Sequence, residues 1–210
     1  IPSMSIAEFH LETEAGKIAT SVKLPRNSVL FSRPVAGVPC KFRTAYETEL
    51  WPVSVAEVQW TTPDRLSPPI RNYEAAAALR IQLQCFADVE LQKIRPDLLR
   101  FYINGESNLV HALYELLNLK CLEIWIRDTN PNSRVRPVQI PASALQPVGF
   151  AEEDGMLPYP HRSFVGYRLL QEYFTFPEKF FFLDLKDLAP VWAQGFKEGA
   201  DIVFLVEPYE

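Results

Sequence analysis

Apolar and polar positions alternate with a period of two through much of residues 18–60. Thr20, Val22 and Leu24 alternate with Ser21 and Lys23, and Cys40, Phe42, Thr44 and Tyr46 alternate with Lys41, Arg43, Ala45 and Glu47. Val29, Leu30 and Phe31 follow a Pro-Arg-Asn-Ser turn, and Val53, Val55, Val58 and Trp60 continue the supply of β-branched and aromatic side chains. Such a pattern predicts half-buried antiparallel strands. The same period returns at Leu79, Ile81, Leu83 and Cys85, at Leu122, Ile124 and Ile126, and at Ile202, Phe204 and Val206. Shorter strands are expected at 101–103, just before an Asn104-Gly105 turn, and at 135–140.

The period lengthens in two places. Leu109, Ala112, Leu113, Leu116 and Leu117 form a helical stripe, with Ser107 placed to cap it. Val165, Leu169, Leu170, Tyr173 and Phe174 form a second, with Ser163 as the cap. Pro177 bars Phe176 from the helical region, so that helix must end there or earlier. The apolar run 178–185 then predicts a strand covered on both faces, and 94–99 predicts one short helical turn. Eighteen prolines in 210 residues, against a usual ~5%, imply short elements joined by stiff connections. The expected fold is α+β, mainly antiparallel and sandwich-like at the front, with two main amphipathic helices packed on the sheets. The expected division is a β-rich half over 1–70 and an α+β half over 71–210, or one continuous domain.

Composition narrows the function classes. The 26 acidic residues outnumber 21 basic ones, which argues against a nucleic-acid groove. The densest basic group, Arg127, Arg134 and Arg136, reads as a solvated rim. No apolar run reaches the ~18 residues of a membrane helix. The opening Ile-Pro-Ser-Met has neither an initiator methionine nor a signal-peptide pattern, which reads as a piece cut from a longer protein. Cys40, Cys85 and Cys121 are widely spaced among apolar neighbours, so they are expected to be reduced, small core residues of a cytosolic protein.

Motifs of catalysis are missing. Phosphate-cradling glycine patterns, a nucleophile elbow and zinc-type Cys/His spacings do not occur. His10, His111 and His161 are far apart, and Glu152-Glu153-Asp154-Gly155 reads as an exposed acidic loop without the alternating oxygens of a calcium site. No catalytic, metal or cofactor-binding residue is assigned, and no cofactor is expected. Two other classes stay open. A hydrolase would need Cys40 or the scattered acids in a cleft. A carbohydrate-binding β-sandwich would need Trp51, Trp60 or Trp125 exposed on one flat face.

Aromatic density is the remaining signal. Residues 162–184 hold Phe164, Tyr167, Tyr173, Phe174, Phe176, Phe180, Phe181 and Phe182, interleaved with Arg168, Glu172, Glu178 and Lys179. Gly166, Leu169, Leu170, Phe174, Pro177 and Phe180 are expected to be structural. Arg168, Glu172, Lys179, Tyr167 and Tyr173 are the candidates for contact with a partner.

The word MLPYPHRSFVGYRLLQEYFTFPEKFFFLDL, at 156–185, closely resembles the signature of the TssF family (also called ImpG or VasA), a baseplate subunit of the bacterial type VI secretion system. Leu24-Pro25 and the Cys40-Lys41-Phe42-Arg43-Thr44 run are similar to the same family at lower specificity. The resemblance implies a non-enzymatic wedge component that joins TssG, TssK, TssE and a second TssF copy. It also implies proximity to spike and tube proteins and a sheath-anchoring role. The place implied is the bacterial cytoplasm, at the inner face of the membrane, with only indirect membrane contact.

Overall fold

The computed structural model describes residues 2–11, 20–130, 132–160, 162 and 164–209. The expected strand start at Ile18, the cap at Ser163 and His161 lie outside the described residues. Among the described residues the first elements are four three-residue strands, β1 (Val22–Leu24), β2 (Val29–Phe31), β3 (Lys41–Arg43) and β4 (Thr48–Leu50). Then come β5 (Val53–Thr61), β6 (Ala77–Cys85), the turn α1 (Leu91–Ile94), β7 (Leu99–Tyr102) and helix α2 (Ser107–Leu119). After β8 (Cys121–Asp128), β9 (Val138–Pro141) and β10 (Leu145–Pro147) stands helix α3 (Val165–Thr175), followed by a 3-10 turn at Pro177–Phe180. The chain closes with β11 (Phe182–Leu185), α4 (Ala189–Trp192) and β12 (Gly199–Val206).

These elements form two compact units, Ile1–Trp51 with Val148–Phe180, and Pro52–Pro147 with Phe181–Glu210. This division differs from the expected 1–70 and 71–210 halves. Strand β5 pairs along its length with β6, which draws it into the second unit. Residues 148–180 belong instead with the front of the chain.

In the first unit the strands form two antiparallel ladders, β1 with β4 and β2 with β3. The predicted turn between β1 and β2 is present, with Asn27 at φ 69°, a left-handed conformation that Asn tolerates better than most residues. The sandwich-like front is thus reduced to short ladders, because polar and proline residues interrupt every run.

The second unit carries most of the sheet. Its five-stranded antiparallel sheet has the order β5-β6-β12-β8-β9, and a three-stranded antiparallel sheet has the order β10-β11-β7. Strand β12 is buried at all eight positions, as its position between β6 and β8 requires. Ile202 and Phe204 pack with Leu79, Leu83, Ile124 and Ile126 on one face, where Leu117 of α2 joins them. The stripe of α2 is displaced by one residue from the expected one. Val110 and Leu117 are buried with Leu113 and Tyr114 partly buried, while Leu109 and Ala112 face outward. Ser107 is the first helical residue rather than the cap, which is Glu106.

Strand β5 contains a bulge at Ala56 and Glu57, two residues opposite Gln82 alone. The bulge keeps Val53, Val55, Val58 and Trp60 opposite Cys85, Leu83, Ile81 and Leu79. Without the extra residue, Val58 and Trp60 would turn to the other face. The predicted strand over 178–185 starts only at Phe182. Residues 177–180 make a 3-10 turn instead, which sends Lys179 and Phe180 inward.

Candidate functional site

Helix α3 is turned opposite to its apparent amphipathicity. Its fully buried residues are Arg168 and Glu172, four apart and so one above the other on one face. On the opposite side Tyr167 is 65% and Phe174 is 81% exposed, with Leu170, Tyr173 and Phe164 also exposed. Leu169 is half-buried, and Pro177 begins the 3-10 turn that follows the helix. Gly166 has a local reason: the Phe164 ring lies over it, and a Cβ there would fall 2.3 Å from that ring. Phe180 is buried, between Phe150 at 5.0 Å and Tyr173 at 6.0 Å between ring centroids.

What turns the charged face inward is the loop at 149–157. Five consecutive carbonyls of this loop accept hydrogen bonds from three cations and a tyrosine. Arg168 donates through Nη2 to Ala151 (2.7 Å) and through Nη1 to Glu152 (2.6 Å). Arg26 donates to Glu153 and Gly155, each at 2.7 Å. Lys179 Nζ and the Tyr46 hydroxyl both donate to Asp154, at 3.1 and 3.2 Å. Asp154 in turn accepts with its own carboxylate from the Gly149 amide at 2.8 Å. A loop has no ladder to satisfy its carbonyls, and here basic side chains replace one. Gly155 is required by this packing, since a Cβ would lie 2.7 Å from Arg168 Nη1.

Glu172 closes the network. One carboxylate oxygen accepts from the amides of Met156 (2.9 Å) and Leu157 (3.0 Å), and the other accepts from Lys179 Nζ. Burial pushes the Glu172 pKa up, but the Lys179 ammonium and the two amides outweigh it and hold the group below the ordinary carboxylate value. Burial pulls Lys179 below its ordinary value, against the pull of Glu172. The Lys179 ammonium also lies 4.9 Å from the centroid of the Phe180 ring.

Three expected partner residues, Arg168, Glu172 and Lys179, are therefore sealed inside the first unit, because the loop needs their donors and acceptor. Two expected structural residues, Leu170 and Phe174, are exposed instead. Tyr167 and Tyr173 are exposed. Arg26 was not singled out from sequence, Tyr46 was read only as a strand position and Asp154 only as part of an exposed acidic loop, in which Asp154 is in fact half-buried and Gly155 buried. Arg26 and Tyr46 act from more than a hundred residues away along the chain.

Other chemistry finds little footing. Arg127 is buried rather than part of a solvated rim, and donates to the Pro68 carbonyl at 2.5 Å. Cys40 is exposed, while burial pushes the thiols of Cys85 and Cys121 up to about 11 and about 12, which keeps them protonated. Two open clefts of about 380 and 620 Å³ lie in the second unit; neither is lined by Cys40 or a histidine, while acids line both, Asp128 and Glu198 the first and Asp88, Glu90 and Glu198 the second. Among the described residues no group of three or more His, Cys, Asp and Glu could hold a metal ion. Trp60 and Trp125 stand on opposite faces of one sheet, since Trp60 pairs with Leu79 beside Phe204 and Trp125 pairs with Val203. Trp60 is exposed while Trp51 and Trp125 are half-buried, so Trp60 and Trp125 form no shared platform on that sheet.

A family model described as "Type VI secretion system, TssF" matches residues 1–210. The chain belongs to the TssF family. It is 30% identical over 209 residues to the type VI secretion system component TssF1 of Pseudomonas aeruginosa, covering 97% of this chain and 33% of that protein. It is also similar to a chain in the cryo-electron microscopy structure of a TssK-TssF-TssG baseplate subcomplex. That likeness has a TM-score of 0.74 and 26% identity, and covers 91% of this chain and 34% of the other. The chain thus spans about a third of the length of the relatives it matches. The word at 156–185 holds the helix and turn that bring Arg168, Glu172 and Lys179 to the buried network, and the loop carbonyls at 151–155 lie just before it. Among the described residues no helix is long and apolar enough to cross a membrane.

Proposed function

We propose that the chain is part of a non-catalytic subunit of the type VI secretion baseplate wedge. In this reading it joins TssG, TssK, TssE and a second TssF copy, near the spike and tube. It helps anchor the contractile sheath at the cytoplasmic face of the inner membrane. The observation that carries the reading is the orientation of α3. A helix that seals its charges inside and presents Tyr167, Leu170 and Phe174 outward is built to be covered by another surface. Aromatic anchors of this kind dominate binding energy in protein interfaces. The TssK-TssF-TssG subcomplex in which the similar chain was seen supplies the first partners to try. The test is co-expression with TssG and TssK followed by purification on a tag carried by this chain. Capture of either subunit by the unaltered chain, lost in Tyr167→Ala with Phe174→Ala, supports the reading. Capture unaffected by that double change removes α3 from it, and failure to capture either subunit overturns it.

A further inference from the structure

On one face of the five-stranded sheet, charges alternate in sign across four neighbouring strands. Glu57 on β5 meets Arg80 on β6 (Oε2 to Nη1, 3.1 Å), and Arg80 meets Asp201 on β12 (Nε to Oδ1, 3.0 Å). Asp201 then meets Arg127 on β8 (Oδ2 to Nη2, 3.6 Å). The ladder starts in the buried interior at Arg127 and Asp201 and ends at the sheet edge on an acid, Glu57, whose side chain is 53% exposed. Among the described residues no strand pairs with the outer side of β5. A nine-residue strand in that position offers a row of backbone donors and acceptors to an added strand.

The other face of β5 carries Val53, Val55, Val58 and Trp60. The bulge at Ala56 holds Val55, Val58 and Trp60 in line with the core residues Leu83, Ile81 and Leu79, yet all three are themselves exposed. Tyr209 adds a ring edge-on to Trp60, at 6.2 Å between centroids. Of the devices that blunt such an edge, β5 lacks lysine and proline and has the bulge at Ala56 and Glu57 and a single charge, Glu57.

We propose that β5 is the acceptor edge for an extended segment of a second protein, which adds as a sixth strand. That segment carries Lys or Arg beside Glu57, continuing the alternation of charge, and apolar side chains beside Val55, Val58 and Trp60. A second copy of this chain fits less well. Glu57 is the middle residue of β5, so twofold pairing in the register that overlaps the whole strand sets Glu57 against Glu57. The inference rests on the reading of the chain as an assembly subunit and adds to it the site and the chemistry of a partner.

The test uses the whole 210-residue chain and two soluble nonapeptide probes, one alternating lysine with valine and one alternating glutamate with valine. Binding is read by fluorescence anisotropy and location by deuterium exchange. The lysine peptide is expected to slow exchange in residues 53–61 and to bind about tenfold more tightly than the glutamate peptide. Glu57→Lys should invert that preference and Glu57→Gln should abolish it, with the circular dichroism spectrum unchanged in both. Equal binding of the two peptides by the unaltered chain, or protection away from β5, overturns the proposal. So does protection of β5 that rises with protein concentration alone, which would make a second copy the occupant. If the peptides fail while TssG or TssK is still captured, this inference falls and the assembly reading stands. If the lysine peptide protects β5 while neither subunit is captured, the edge stands and the baseplate reading falls.

Discussion

Lys179 Nζ donates to the carboxylate of Glu172 across the turn that follows α3, and the two side chains are 1% and 0% exposed. Each member has further bonds, Glu172 from two amides and Lys179 to the Asp154 carbonyl, so the pair is satisfied where it is buried. A buried pair of this kind costs desolvation that its Coulomb attraction and hydrogen bonds only offset. Its value here is geometric. It ties the end of α3 to the loop at 154–157 and thereby fixes which side of the helix faces out.

Removing one member leaves the other charge buried without a partner. Glu172→Ala or Lys179→Ala is expected to lower stability by ~3–5 kcal/mol. The combined Glu172→Gln and Lys179→Met change, which keeps shape and removes both charges, should lose much less than the sum. Urea unfolding followed by far-ultraviolet dichroism measures all three. Single variants as stable as the unaltered chain would show that the pair does not hold the loop.

The same pair sets a pH dependence. Glu172 has a folded pKa below its ordinary 4.5, so its contribution is fully present above 4.5 and is lost as pH falls through the folded value. Lys179 has a folded pKa below 10.5, so between its folded value and 10.5 the unfolded chain holds more protons and stability rises with pH. The unaltered chain should therefore lose stability below pH 4.5 more steeply than the Glu172→Gln, Lys179→Met variant. Thermal melts across pH 3 to 7 compare the two slopes, and parallel slopes would contradict the assignment.

Strand positions were legible in the sequence because their period of two is local. Leu79 to Cys85, Leu122 to Ile126 and Ile202 to Val206 all occur in strands of the central sheet. The end of α3 was legible for the same reason, since Pro177 acts on its immediate neighbour, and Phe176 takes φ −154° there. The orientation of α3 was not legible. Its apolar residues suggested a buried face, but the side that turns inward is chosen by the unsatisfied carbonyls of a loop and by Arg26, far away in sequence. Hydrophobic period cannot register a demand for donors. The bulge in β5 was equally hidden, although Val53-Val55 followed by Val58-Trp60, a break of phase in an apolar series, was its visible trace.

Gly199 opens the central strand β12 opposite Gln84, where a Cβ would lie 2.3 Å from the backbone oxygen of Leu83. The backbones of Gly199 and Leu83 belong to the paired strands β12 and β6 and cannot move aside as a flexible side chain would. Gly199→Ala is expected to cost ~1–3 kcal/mol, as overpacking does. Gly105→Ala is the control, because a Cβ there meets only Val110 and Leu109 side-chain atoms at 3.8 and 3.9 Å. Denaturation midpoints of the two variants should separate clearly, and equal midpoints would mean that β12 shifts freely at its start.

Phe174 and Phe180 separate surface from core within six residues. Phe180 is buried against Phe150 and Tyr173, so Phe180→Ala should lower stability by ~3–5 kcal/mol. Phe174 touches Tyr173 edge-on at 5.6 Å but stands 81% exposed, so Phe174→Ala should stay within ~0.5 kcal/mol of the unaltered chain. The two variants should reverse in a binding assay. Phe174→Ala, folded, is expected to lose capture of TssG or TssK, because truncating a central aromatic anchor typically costs ~2 kcal/mol or more, whereas a Phe180→Ala chain that remains folded at low temperature should retain it. Parallel melts and pull-downs on both variants measure this reversal. A Phe174→Ala chain that unfolds would place the ring in the core after all, and one that binds normally would leave α3 without a partner role.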